Sequence, residues 1–107
     1  MLTCIIRYQI DPTKHAEFET YARNWGQAIP RCGADLVGYY APHEGSSTLA
    51  YGIYNIDSLA EYQRYRARLA EDPLGQENYA FAQRERFLLR EDRTFLKLAS
   101  APHGPAR

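Results

Sequence analysis

From Leu2 to Ile10 the chain alternates: Leu2, Cys4, Ile6, Tyr8 and Ile10 share one face, and Thr3, Ile5, Arg7 and Gln9 share the other. A period of two belongs to a strand, here with one apolar and one mixed face. Asp11-Pro12-Thr13 follows, an N-cap residue ahead of proline at the first helical position. The period then lengthens. Phe18, Tyr21, Ala22, Trp25, Ala28 and Ile29 recur every three or four residues, which predicts an amphipathic helix that Pro30 and Gly33 end. Residues 34–42 read as a second strand, with Gly38 a bulge or point of close approach. His43-Glu44-Gly45-Ser46 makes a turn, and Thr48 to Ile56 returns as the second arm of a hairpin.

Ser58-Leu59-Ala60-Glu61 has the capping-box pattern and opens a second helix, with apolar positions at Leu59, Tyr62, Tyr65 or Arg66, and Leu69. Asp72-Pro73 breaks that helix and caps the next turn. A third helical stretch, over 76–89, carries Tyr79, Ala82, Arg86 and Phe87 on one side. Residues 90–93 read as a charged connection, 94–99 as the final strand and 101–107 as a flexible tail. The order β-α-β-β-α-(α)-β within residues 1–100 defines one α+β domain. It is the ferredoxin-like arrangement, a four-stranded antiparallel sheet with its helices on one face.

That arrangement leaves the other face of the sheet uncovered, yet the strands carry apolar residues on both sides, as in Ile5 beside Ile6 and Tyr39 beside Tyr40. A soluble monomer rarely exposes such a patch. A second copy, sheet against sheet about a two-fold axis, is the economical cover, so a homodimer or a higher oligomer is expected.

Composition narrows the partners. Hydrophobic residues make 45% of the chain and charged ones 24%, a globular rather than a disordered balance. Thirteen basic and thirteen acidic side chains cancel, so no charge excess points to nucleic acid or to an anionic membrane surface. No apolar run approaches the ~18 residues of a membrane span, and no secretory core follows Met1. With Cys4 and Cys32 read as reduced thiols, a cytoplasmic location is expected. Nine tyrosines against four phenylalanines and one tryptophan favour an interface or a polar-lined cavity over a wholly dry core.

Catalytic signatures are missing: no glycine-rich phosphate loop, no Gly-x-Ser-x-Gly elbow and no paired Cys-x-x-Cys motifs. His15, His43 and His103 fall far apart along the chain, so neither a metal nor a cofactor is expected. Arg7, mid-strand, reads either as an anchor for an anionic ligand or as half of an ion pair. Tyr39, Tyr40, Tyr51 and Tyr54 cluster on the hairpin, where they line a ligand pocket or pack a dimer interface. His43 beside Glu44 is a weak general-base candidate, with Tyr51 as its companion, against the alternative of solvated turn residues. Trp25 is either core or the wall of a helix–sheet cleft. Arg84, Arg86, Arg90 and Arg93, interleaved with acids, read as a solvated or ion-paired face.

Three clusters of residues together resemble one family: Glu17-Phe18-x-x-Tyr21-x-x-x-Trp25; Val37-Gly38-Tyr39-Tyr40 with Gly45; and Ile53-Tyr54-x-x-Asp57-Ser58-Leu59 with Arg66 and Arg68. The pattern is similar to a NIPSNAP domain over about residues 2–99. Where the family's third strand often carries Trp-x-Tyr, this chain has Tyr54 and Ile56. The resemblance implies the dimeric α+β barrel superfamily, whose members include cofactor-independent monooxygenases, haem-degrading enzymes, and decarboxylases or isomerases of small rings. In many of these the ligand sits between helices and sheet. The expectation is a homodimer binding a small aromatic or apolar metabolite in such a cleft, with Arg7, Trp25, Tyr39 and Tyr54 as ligand-binding residues. A cofactor-independent monooxygenase or isomerase and a non-catalytic scaffold dimer are the alternatives.

Overall fold

The structure is a computed structural model and describes residues 1–102. Its elements are β1 (Leu2–Ile10), α1 (His15–Arg31), β2 (Asp35–Tyr40), β3 (Leu49–Ile56), α2 (Leu59–Glu71), α3 (Pro73–Glu85) and β4 (Leu88–Leu96). The strands form one antiparallel sheet in the order β2-β3-β1-β4, the ferredoxin-like topology expected from the sequence.

Alternation along β1 sets the core. Cys4, Ile6, Tyr8 and Ile10 are buried beneath the helices, while Arg7 and Gln9 point to the open face. Register carries this across the sheet: Cys4 pairs with Tyr54, Ile6 with Gly52 and Tyr8 with Ala50 on the covered side. Phe18, Tyr21, Trp25, Ala28 and Ile29 of α1 close the core from above, as their spacing predicts. On the other side Ile5, Tyr51 and Ile53 are half-buried, and Val37, Tyr40 and Leu96 are about half exposed.

Several boundaries differ from the sequence reading. Asp11 does not cap α1. Its Oδ1 accepts from the Thr13 N–H at 2.8 Å and the Thr13 hydroxyl at 2.7 Å, closing a local turn, and the helix starts at His15. Pro30 lies inside the last turn of α1 instead of ending it; lacking an N–H, it cannot donate to the Gly26 carbonyl, and the helix runs only one residue further, to Arg31. Gly33 does terminate the helix, with φ 105°: its N–H donates to the Pro30 carbonyl and Ala34 N–H to that of Ile29, a Schellman closure.

Ser58 caps α2, accepting from the Glu61 N–H at 3.0 Å, and Asp72 caps α3 through the Gly75 N–H at 2.9 Å. With Pro73 at its first position, α3 begins three residues earlier than its periodicity indicates. It stops at Glu85 because Arg86 turns left-handed, at φ 54°, and drops the fully buried Phe87 into the core. The charged stretch 90–93 is therefore part of β4, not a connection, and the strand runs from Leu88 to Leu96 instead of 94–99. An edge strand accommodates such charge because one of its sides faces solvent. Of the expected tail, Ala101 and Pro102 have no regular structure, and 103–107 lie outside the described residues, as does His103. Among the described residues no helix is long and apolar enough to cross a membrane.

Candidate functional site

The covered face is built largely from aromatic rings. Tyr8, on the central strand, meets Phe18 and Tyr21 of α1 edge-on, with ring centres 5.5 and 6.2 Å apart. Tyr39 reaches it from β2 because Gly52 lies between them on β3: a Cβ there would stand 2.5 Å from the Tyr39 ring. Freed to lie across the sheet, Tyr39 brings its hydroxyl to 3.0 Å from that of Tyr8. Trp25 stands edge-on to both Tyr21, at 5.5 Å, and Tyr79 of α3, at 5.1 Å. The fully buried Asn78 joins α3 to α1 behind them, donating to the Tyr21 carbonyl at 3.0 Å and accepting from Asn24 at 2.9 Å.

A cleft remains between these rings and the sheet. Its inner space is about 20 Å³, room for about one water molecule. Trp25, Tyr79, Arg66 of α2, and Glu91 and Arg93 of β4 line it among others. The polar groups here are unevenly matched. Arg66 donates to the Tyr62 hydroxyl at 2.9 Å, with its guanidinium 5.8 Å from the centre of that ring. Arg93 and Glu91 approach only to 3.8 Å, beyond hydrogen-bond reach. Trp25 Nε1 and Arg93 Nε are buried without a hydrogen-bond partner among the described residues. The Tyr21 hydroxyl lies close enough to Trp25, and the Cys4 thiol to Arg93, for a weak hydrogen-bonding interaction that lowers each pKa against the effect of burial, but neither contact meets full hydrogen-bond geometry.

Burial raises the pKa of Tyr8, Tyr21, Tyr39, Tyr54, Tyr65 and Tyr79, so all six hydroxyls keep their protons at neutral pH. Burial likewise pushes the Cys4 thiol up. The cleft therefore holds neutral donors and acceptors, two guanidinium cations and one carboxylate.

A second hollow, of about 460 Å³, opens on the uncovered face between Arg7, Gln9, Leu49, Arg90 and Asp92. It is polar, and Arg90 and Asp92 pair within it at 3.0 Å. Of the residues singled out in the sequence, Trp25, Tyr39 and Tyr54 meet in the helix–sheet cleft. Arg7 and Tyr51 face each other across β1 and β3 on the opposite side, and His43 is exposed with Glu44 in the connection 41–48. The hairpin tyrosines thus divide, Tyr39 and Tyr54 inward, Tyr40 and Tyr51 outward.

Arg93, Tyr79 and Glu91 were not among the expected ligand-binding residues. The arginine run hid Arg93, because its alternation shows only once β4 is known to start at Leu88. Arg66 had left a signal, since it shares the inward position of α2 with Tyr65. No group of three or more His, Cys, Asp or Glu side chains gathers in metal-binding geometry among the described residues.

Element order, register and a one-sided helical layer define an α+β protein of the ferredoxin-like class. The NIPSNAP family model matches residues 3–102, and the chain belongs to that family. Among solved structures, it is similar to an uncharacterized NIPSNAP domain protein from Burkholderia xenovorans, 28% identical, over 96% of this chain and all of that one, with a TM-score of 0.73. A NIPSNAP family protein with unknown function from Agrobacterium tumefaciens matches over 92% of this chain and 88% of its own, at 21% identity and TM-score 0.76. The fold extends to a Nitrosomonas europaea protein provisionally assigned as an antibiotic biosynthesis monooxygenase, with TM-score 0.71 and 11% identity over 94% and 100% of the two chains. No curated protein matches the sequence.

Proposed function

We propose that this NIPSNAP protein is a cytoplasmic homodimer that binds a small aromatic metabolite in the cleft between its helices and its sheet. The observation that carries the binding function is the pair of buried donors, Trp25 Nε1 and Arg93 Nε, left without protein acceptors in an aromatic-walled cleft. A buried polar group without a partner costs stability, so its persistence points to an acceptor supplied from outside the fold. Trp25, Tyr39 and Tyr54 hold the ligand; Arg7 and Tyr51 belong to the dimer face.

Self-association is supported by the open face. It presents Ile5, Ile53, Tyr40 and Leu96 around a small set of charges, Arg7 and Arg90 against Asp35 and Asp92, which sum to zero. A neutral, apolar-centred face opposes its own copy without electrostatic penalty. Both cysteines are buried and unbridged, in keeping with a reducing compartment.

A second reading, a non-catalytic dimer whose cleft is only core, is favoured by the small inner space, which one water would fill. The fluorescence of Trp25, the only tryptophan, separates the two. Titration with small aromatic compounds shifts or quenches it saturably if the cleft binds ligand, and leaves it unchanged if the cleft is sealed core.

A further inference from the structure

The charges around the cleft specify more than an aromatic guest. Two guanidiniums line it, and the only carboxylate among its lining residues is Glu91, which stands 3.8 Å from Arg93. The tyrosines and Cys4 are neutral, so the cleft carries one net positive charge. Both donors without a protein partner are N–H groups, one on a cation and one on an indole, and neither can accept a hydrogen bond. The missing partner is therefore an acceptor, and one negative charge balances the site.

We propose, resting on the cleft-binding function above, that the ligand is a small aromatic monocarboxylate whose carboxylate is held by Arg93, Arg66 and the indole N–H of Trp25. The inner space, about 20 Å³, has room for about one carboxylate oxygen and is lined by both Trp25 and Arg93, and the ring lies toward the mouth. There Tyr79, about two-fifths exposed and edge-on to Trp25, offers an aromatic surface for it to pack against. Charge-assisted hydrogen bonds in a partly desolvated site are the strong ones, which makes the charge of the head group the main determinant of selectivity.

The test is a fluorescence titration of the full chain, following Trp25, with benzoate and 2-naphthoate against their neutral isosteres benzamide and 2-naphthamide. Arg93→Met and Arg93→Gln are run beside the wild type, with thermal melting to confirm folding. We expect a carboxylate to bind about 10- to 100-fold more tightly than its amide, and either substitution to abolish that preference. Because the substitutions remove a buried unpaired donor, the empty variants melt no lower than the wild type. Carboxylate and amide binding equally well would overturn the anionic specificity and leave aromatic binding standing. Saturable binding of none of the four compounds would overturn both. A preference that survives in the folded Arg93 variants would overturn the assignment of Arg93.

Discussion

The two faces of one sheet differ in how they treat the same residue types. On the covered side, tyrosines lock into edge-on contacts and a hydroxyl pair, Tyr8 with Tyr39, at 3.0 Å. On the open side Tyr40 and Tyr51 pair across β2 and β3 without that enclosure. Arginine repeats the pattern: Arg93, 27% exposed, lines the aromatic cleft, whereas Arg90, three residues earlier on the same strand, stands 70% exposed and pairs with Asp92. A strand sends successive side chains to opposite faces, so one residue of separation decides between the helix–sheet cleft and the outer surface.

If the covered face supplies the stability of the protomer, truncating its centre has the largest effect. Phe18→Ala removes a fully buried ring and is expected to cost about 3–5 kcal/mol, measured by urea denaturation. Next come the glycines, one on each face. Gly52→Ala drives a Cβ into the Tyr39 ring and should cost about 1–3 kcal/mol with a changed near-ultraviolet aromatic signal. Gly38→Ala, whose Cβ would meet the Tyr40 ring at an ordinary 3.5 Å, should stay within about 0.5 kcal/mol. Equal effects from the two substitutions would erase the distinction between the faces.

Outside the sheet, Ser58→Ala removes the cap of α2 and is expected to cost about 1 kcal/mol in the same assay. Alkaline titration sharpens the contrast in another way. The six tyrosines that line the cleft have folded-state pKa values above their unfolded value near 10, so above that pH the native state holds more protons than the unfolded one. Their contribution is complete below pH 10 and is lost as pH rises toward the folded values. Tyrosinate absorbance should therefore rise in two stages, the cleft-lining set only with unfolding; one smooth transition of all nine would contradict the enclosure of the covered face.

Most of the fold was legible because periodicity is a local signal. The alternation in β1, the α1 stripe, the Ser58 and Asp72 caps and the Gly33 terminus all act within a few residues. The third helix and last strand were displaced because their boundary depends on two nonlocal events: Arg86 turning left-handed and Phe87 finding a place in the core. That displacement also concealed Arg93 and Glu91, whose meaning rests on which face of β4 they occupy. Trp25, Tyr39 and Tyr54 could be nominated from the sequence because aromatic residues are informative singly. Arg7 could not be assigned, since mid-strand position leaves its face open until the neighbouring strands fix it.

Native mass spectrometry of gently purified protein tests the division of labour between the two faces most directly, since one spectrum reports both assembly and bound mass. The predicted result is a species of twice 12.3 kDa carrying one discrete small-molecule mass per protomer. A bare monomer at micromolar concentration would contradict it on both counts.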